Sequence, residues 1–276
     1  MYKEEIMFNS NAKNTFKEKI LAGEKPVGTF CELMSENVVE ALGYAGLDYV
    51  VFDNEHSPIE AETNLALVRA AEHGGITPLA RVRGISRPAL LKLLDIGVQG
   101  LIVPNVKTVD DVKQLVAWSK YAPIGNRGFS ASRKDGWGYM LNMSIQDTMA
   151  FFNEQVLLIP QCETTEALES IEEIAAINGV DGIFVGPYDL SIAMGIPGEF
   201  SDPKFLAALD RIIQACRKAG KFTMIFTGNQ QAAIDYLNNG FDSVSYSMDA
   251  AFLVNGCRNE MNALRNGIKK AEEQKQ

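Results

Sequence analysis

The chain has few of the side chains that hold transition metals or act as strong nucleophiles. Among its 276 residues there are two histidines, His56 and His73, and four cysteines that are far apart, without a CxxC pair. A histidine-rich zinc site is therefore excluded, and any metal site must depend on carboxylates. The scattered cysteines favour free thiols in a reducing compartment, so we expect a cytoplasmic protein.

Basic clusters and long apolar runs are also absent. Lys and Arg number 26 against 35 Asp and Glu, which gives a net charge of −9. An acidic chain without a basic cluster binds nucleic acid and anionic membranes poorly. No segment approaches the roughly 18 apolar residues of a membrane helix, and the charged N-terminus has no signal-peptide core. We therefore expect small-molecule partners, and neither nucleic acid nor membrane.

Several common catalytic and nucleotide-binding motifs are missing. No GxSxG, HExxH or P-loop is present, and no GxGxxG follows the first predicted strand. A doubly wound dinucleotide-binding sheet, the competing α/β fold, therefore lacks its usual motif.

Short β-branched runs alternate with helical patterns, and their apolar residues are consecutive, as in parallel strands buried on both faces. Eight strand–helix units in about 250 residues predict a single-domain (β/α)8 TIM barrel. We place it at residues 26–250, after a helical lead-in (1–25) and before a C-terminal helix (251–276). Residues 121–155 are predicted to be irregular. The predicted strands are Val27–Phe30, Tyr49–Asp53, Pro78–Val82, Gly100–Val106, Val156–Glu163, Asp181–Pro187, Lys221–Thr227 and Asp242–Met248.

Polar residues at the C-terminal ends of these strands predict the active site, which barrels place at that rim. Glu163 and Asp189 follow neighbouring strands, and their carboxylates suit a hard divalent cation. Each has a structural alternative as a helix-capping residue. Gln161 points to the same face as Glu163, whereas alternation turns Cys162 outward, towards the helices.

Three more residues predict acid–base and oxyanion chemistry. His56 follows Asp53 in DNEHSP, so the two form a plausible general-base pair. Arg81 lies inside an apolar strand and can bind a carbonyl or a developing oxyanion, although a structural ion pair is the alternative. Arg127 is either an anion contact or a residue that orders its loop. Backbone N–H groups of the GPYDLS turn can hold a substrate carboxylate.

Taken together, these motifs resemble the HpcH/HpaI aldolase family, the metal-dependent class II pyruvate aldolases. The segments that carry the resemblance are DYVVFDNEHSP, PLARV, LKLLDIGVQGLIVPNV, APIGNRG, PQCETTEAL and VDGIFVGPYDLSIAMG. The resemblance implies cleavage of a 4-hydroxy-2-oxo acid to pyruvate and an aldehyde, through a pyruvate enolate stabilised by a metal.

The same resemblance implies specific roles. Glu163 and Asp189 would bind Mg²⁺, Mn²⁺ or Co²⁺, His56 oriented by Asp53 would be the acid/base, and Arg81 would polarise the keto oxygen. The substrate-binding set would also include Gln161, Gly186, Pro187, Tyr188 and Asp95.

Asp95 matches a position that reaches a neighbouring subunit's site in relatives. Relatives form hexamers, as trimers of dimers that exchange the last helix, so a homo-oligomer is expected. A simple closing helix is equally consistent with the pattern of residues 251–276.

Other activities remain open at this point. Oxaloacetate decarboxylation, or capture of the enolate by another acceptor, would use the same site. An acyl-CoA lyase and a non-catalytic 2-keto-acid-binding protein are further alternatives. The turns VRGIS, FTGN and SYSMDAA depart from the family pattern, which leaves the aldehyde specificity undetermined.

Overall fold

Eight parallel strands close into a barrel in chain order, each pairing with the next and β8 pairing with β1. The computed structural model of the protein describes residues 13–139 and 143–274. All eight predicted strands are confirmed. β4 ends at Val103 rather than Val106, because Pro104 follows and has no N–H to donate. The strands are β1 (Val27–Cys31), β2 (Tyr49–Asp53), β3 (Thr77–Arg81), β4 (Gly100–Val103), β5 (Leu157–Cys162), β6 (Gly182–Val185), β7 (Phe222–Thr227) and β8 (Ser243–Met248).

Helices surround the barrel and connect its strands. The prediction that residues 121–155 are irregular is wrong for the last part of that segment, which forms a helix whose first backbone N–H groups are capped by Ser144. The helices are α1 (Thr15–Leu21), α2 (Glu36–Tyr44), α3 (Ala61–His73), α4 (Arg87–Ile96), α5 (Val109–Ser119), α6 (Ile145–Gln155), α7 (Thr165–Glu169), α8 (Ile171–Ala176), α9 (Pro187–Ala193), α10 (Pro203–Ala219), α11 (Gln230–Asn238) and α12 (Asp249–Glu273).

Alternation along the strands separates two hydrophobic cores. Tyr49 and Val51 of β2 belong to the core inside the barrel, whereas Val50 and Phe52 pack in the outer core beneath the helices. Because side chains alternate between faces, Asp53 at the end of the same strand points inward. The same alternation places Cys162 in the outer core, as predicted.

Helix α1 covers the N-terminal end of the barrel. Asn14 caps it by accepting a hydrogen bond from the backbone N–H of Lys17. Phe16 is fully buried, and its ring meets the rings of Tyr49 and Phe222 edge-on, with centroids 5.0 and 5.5 Å away. This aromatic cluster fills the end of the barrel opposite the strand C-termini. Residues 1–12 of the predicted lead-in lie outside the described residues.

Helix α12 follows β8 directly and leaves most of its surface in contact with solvent. It includes exposed apolar side chains such as Leu253, Leu264 and Ile268. The helix begins at Asp249, close to the predicted residue 251, and residues 275–276 lie outside the described part of the chain. Among residues 13–139 and 143–274, no helix has both the length and the apolar character that a membrane crossing requires.

We expect Phe16→Ala to lower the free energy of unfolding by about 3–5 kcal/mol, because it removes a buried ring and leaves a cavity. Urea denaturation followed by circular dichroism measures this loss. Leu21→Ala is the matched control in the same helix: Leu21 is exposed, so its effect should stay within about 0.5 kcal/mol. Equal effects of the two substitutions would show that α1 does not seal the barrel.

Candidate active site

A cavity of about 200 Å³ opens at the C-terminal ends of the strands. Inward positions of the strands and the turns that follow them supply its walls, as expected for a barrel. The lining residues are Phe30, Glu32, His56, Arg81, Gln161, Phe184, Gly186, Pro187, Tyr188, Asp189, Phe226 and Met248. Predicted site residues that meet here are His56, Arg81, Gln161, Gly186, Pro187, Tyr188 and Asp189.

Arg81 is fixed by a buried ion pair across two neighbouring strands. Asp53 and Arg81 are register partners in β2 and β3. The Nε and Nη2 atoms of Arg81 donate to the two Asp53 carboxylate oxygens, over 2.9 and 2.6 Å. Nη1 lies 3.3 Å from the Glu55 carboxylate. The predicted structural ion pair therefore exists, and the same guanidinium lines the cavity.

Burial and pairing act in opposite directions on these groups. The Asp53 side chain is fully buried and that of Arg81 is 12% exposed. Burial alone would raise the pKa of Asp53, but the hydrogen bonds and charge of Arg81 hold it below its ordinary value. Burial would lower the pKa of Arg81, whereas its bonds to Asp53 raise it above the ordinary value. Both groups therefore stay ionised.

His56 lies in the loop after β2, and its ring is 64% exposed. The predicted pairing of the Asp53 carboxylate with the His56 ring is not present in the structure. The Asp53 carboxylate is occupied by Arg81, and its contact with His56 is to the backbone N–H of that residue, at 3.4 Å, rather than to the ring. Glu55 is the nearer carboxylate, with Oε2 3.9 Å from Nε2 of His56.

Glu163 is buried just beyond β5 and held by two donors. The backbone N–H of Asn105 donates to Oε1 over 2.6 Å, and the Gln161 amide donates to Oε2. Asn105 has a φ of 60°, a left-handed conformation that asparagine tolerates. Burial raises the pKa of Glu163, and the negative charge of Asp189 raises it further. Thr164, not Glu163, caps the following helix α7.

Asp189 lies on the rim, in the first turn of α9, whose N-cap is Gly186. The capping alternative for Asp189 is therefore wrong. A Cβ atom at Gly186 would stand 2.8 Å from the Gln161 amide nitrogen and 2.9 Å from Oε2 of Glu163. Only glycine lets the backbone approach this pair without displacing it.

The residues around Glu163 fit a divalent cation. The Oε1 atom of Gln161 is buried, with no hydrogen-bond partner among the described residues. Within residues 13–139 and 143–274, no group of three His, Cys, Asp or Glu side chains could hold a metal. A cation here would have two carboxylates and take its other ligands from water or substrate, which is how proteins usually bind Mg²⁺.

Asp95 lies on α4 and outside this chain's cavity. Its carboxylate accepts from Nη2 of Arg127 over 2.7 Å, and Lys134 lies 3.9 Å away. Arg127 is buried and stacks over the Tyr121 ring at 4.7 Å. Within one subunit, therefore, Arg127 orders its own loop, and Asp95 has no contact with the cavity.

The apolar half of the cavity was not predicted from the sequence. Phe30, Phe184 and Met248 line it, although none was selected as a site residue. Glu32, directly after β1, lines the cavity as well. Extending the inward alternation from Tyr49 and Asp53 to the other strands would have found the two phenylalanines, since each lies near the end of its strand. Cys162 is no nucleophile, because burial raises the pKa of its thiol to about 12.

Comparison with known proteins agrees with this architecture. The sequence profile of the HpcH/HpaI aldolase/citrate lyase family matches residues 27–256. A pyruvate aldolase of Rhizobium etli is 34% identical, covering 88% of this chain and 94% of its own. A 4-hydroxy-2-oxo-heptane-1,7-dioate aldolase of Escherichia coli is 33% identical, covering 87% and 91%.

A solved structure shows the same fold. The HpcH/HpaI aldolase/citrate lyase family protein of Burkholderia cenocepacia J2315 superimposes with a TM-score of 0.84 at 29% identity, covering 92% of this chain and 100% of that one. Relatives named as aldolases indicate an enzyme of the lyase type. The chain therefore belongs to the HpcH/HpaI aldolase/citrate lyase family.

Proposed function

We propose that this protein is a divalent-metal-dependent aldolase that cleaves a 4-hydroxy-2-oxo acid into pyruvate and an aldehyde. The observation that carries the proposal is the position of the ion-paired Arg81 in the same cavity as Asp189, next to the buried Glu163. Burial raises the pKa of Glu163, and the positive charge of Arg81 offsets part of that rise. A fixed cation beside two carboxylates suits a reaction in which negative charge develops on a keto acid.

Arg81 stabilises the charge that develops on the keto oxygen. Asp53 takes two of its five donors and Glu55 lies beside Nη1, so the guanidinium cannot rotate away from the cavity. A donor held in place before the reaction loses no freedom when the enolate forms. Asp53 is fully buried and does not reach substrate, so it is a positioning residue.

His56 is the acid/base of the proposed reaction. Its imidazole takes the proton of the substrate's 4-hydroxyl, whose oxygen becomes the aldehyde carbonyl as the C3–C4 bond breaks. The bonding electrons pass to the keto group and give the enolate of pyruvate. Return of a proton to C3 completes pyruvate. The nearest carboxylate oxygen to this ring is Oε2 of Glu55, 3.9 Å from Nε2 of His56.

Glu163 and Asp189 would hold Mg²⁺, Mn²⁺ or Co²⁺, and such a cation would act as a Lewis acid on the keto acid. Gln161 lines the cavity and donates to Glu163, and its carbonyl oxygen has no hydrogen-bond partner among the described residues. We place the substrate carboxylate along the Gly186, Pro187 and Tyr188 turn, which lines the same cavity.

We also propose that the protein forms a homo-oligomer, a hexamer by its resemblance to the family. The exposed apolar side chains of α12 support packing of this helix on another copy. In such an assembly, Asp95 is the residue expected to approach the neighbouring subunit's site.

The central test is exchange of the pyruvate methyl protons in D₂O, followed by NMR, which needs no knowledge of the aldehyde. We expect exchange with Mg²⁺ or Mn²⁺ and its loss in EDTA. Glu163→Gln should abolish exchange and weaken Mn²⁺ binding measured by calorimetry at least about tenfold, because a neutral amide is a poorer ligand for a hard cation.

Glu166→Gln is the matched control for Glu163→Gln. Glu166 is exposed in the next helix, so both readouts should match the wild type. Undiminished exchange by Glu163→Gln in EDTA would exclude the metal-dependent mechanism. If the protein catalyses exchange and decarboxylates oxaloacetate but cleaves no 4-hydroxy-2-oxo acid, its activity is decarboxylation and not aldol cleavage.

Arg81→Lys should lower kcat/KM for cleavage by roughly 100-fold or more, since a point charge does not reproduce the bidentate guanidinium. Steady-state cleavage kinetics measure the loss. Arg83→Lys is the control two residues along the chain, because Arg83 is exposed and pairs with the exposed Glu60. Unchanged kinetics for Arg81→Lys would make Arg81 a structural residue.

Asp53→Asn should lower the free energy of unfolding by about 3–5 kcal/mol at neutral pH, because it leaves a buried guanidinium without its counter-charge. The folded-state pKa of Asp53 is lowered. Its contribution is therefore fully present above the unfolded pKa of about 3.9, and it is lost as pH falls through the folded pKa.

The measurement is urea denaturation from pH 7 to 3. The gap between wild type and Asp53→Asn should be constant above about pH 5 and narrow below about pH 4. Glu60→Gln, which breaks the exposed Arg83–Glu60 pair, should cost less than about 1 kcal/mol. A gap that does not change with pH would show that Asp53 does not stabilise the fold as a carboxylate.

A further inference from the structure

One side of the cavity is an aromatic wall. The Phe30 ring meets Phe184 and Phe226 edge-on, with centroids 5.9 and 5.6 Å apart, and Phe226 lies 6.2 Å from Tyr188. Met248, at the end of β8, completes this side. We call Phe30, Phe184, Phe226, Tyr188 and Met248 the apolar wall.

The apolar wall and the reacting groups come from different parts of the barrel. The wall is built on β6, β7, β8 and β1, apart from Tyr188 in the first turn of α9. Arg81 and its partner Asp53 are on β3 and β2, and Gln161 is on β5. The guanidinium carbon of Arg81 lies 4.9 Å from the centre of the Phe30 ring, where the two sides meet. The apolar wall therefore adjoins the place where a keto acid would bind Arg81.

Negative charge predominates around the cavity. Among the described residues that line it, Arg81 is the sole lysine or arginine, and Asp53 and Glu55 already pair with it. Glu32 stands at the mouth after β1. Burial raises its pKa, and the negative charges of Asp53 and Asp249 raise it further, in keeping with a negative local potential.

We propose that this cavity selects a neutral, apolar or aromatic aldehyde, and that Glu32 and the apolar wall are the residues that determine this specificity. A ring or alkyl chain gains from burial against aromatic side chains. A second carboxylate would lose water there, meet Glu32, and find no free cation among the described lining residues. This inference rests on the proposed aldolase function.

The test compares two four-carbon aldehydes, one neutral and one charged, and adds an aromatic aldehyde. Purified wild-type protein, pyruvate and Mn²⁺ are mixed with butanal, succinic semialdehyde or benzaldehyde, and aldol addition is followed by NMR. We expect kcat/KM for butanal and benzaldehyde to exceed that for succinic semialdehyde at least about tenfold. A preference for succinic semialdehyde over butanal would overturn the proposal.

Two variants connect the preference to the named residues. Glu32→Gln should raise the ratio of kcat/KM for succinic semialdehyde to that for butanal at least about threefold, because a repelling charge is removed. Phe226→Ala should lower the benzaldehyde-to-butanal ratio by about tenfold, through loss of ring contacts. Phe226→Leu repeats the measurement with a smaller change in volume if the alanine variant does not fold.

Glu36→Gln is the matched charge control, since Glu36 is exposed on α2, and both ratios should equal those of the wild type. Unchanged ratios in Glu32→Gln and the Phe226 variants would overturn the assignment of these residues. Pyruvate exchange in D₂O separates a failure of the proposed specificity from a failure of the proposed aldolase function. Exchange together with a preference for the charged aldehyde refutes only the specificity. If the protein catalyses neither exchange nor aldol addition, the proposed function is refuted, and this inference with it.

Discussion

The closed barrel requires that every second side chain of each strand point into one enclosed space. Below the rim that space is filled by apolar side chains such as Val51, Leu79 and Ile159, with Phe16 closing the lower end. At the rim the same inward positions carry Asp53, Arg81 and Gln161. The geometry that builds the core therefore also determines which side chains meet in the site.

Inward charges are stable there only because they are paired. Moving a guanidinium or a carboxylate out of water costs several kcal/mol unless a counter-charge and hydrogen bonds replace the lost solvation. Asp53 and Arg81 supply this for each other through a bidentate contact between register partners. The pair makes Arg81 rigid and leaves His56 free of the carboxylate that the sequence assigns to it. Stability and the geometry of the site therefore depend on the same contact.

Much of the fold was predictable, because consecutive apolar residues in strands and the spacing of apolar residues in helices are local signals. The strand ends also predicted that His56, Arg81, Gln161 and Asp189 would share one rim. Pairing preferences were less predictable. Asp53 is three residues from His56 and 28 from Arg81, so proximity in the sequence favoured the wrong partner; β2–β3 register places the distant one beside it.

The apolar side of the cavity was missed for a different physical reason. A phenylalanine in an apolar strand gives the same sequence pattern whether it fills the core or faces a ligand. The two roles differ only in how close the residue lies to the C-terminal end of the strand. Phe184 and Phe226 lie near the ends of β6 and β7, and both line the cavity. The sequence of such a strand therefore predicts burial but not contact with a ligand.

The two sides of the cavity are physically coupled. The interaction of Arg81 with a developing oxyanion strengthens as water is removed from around it, because the local dielectric falls. The apolar wall excludes water from that region, and Phe30 contacts the guanidinium itself. An aldehyde substituent that covers the wall would complete this exclusion, whereas a charged substituent would bring its hydration with it. Acceptor specificity and stabilisation of the enolate would then have the same physical origin, which is the contact of a paired guanidinium with an aromatic surface.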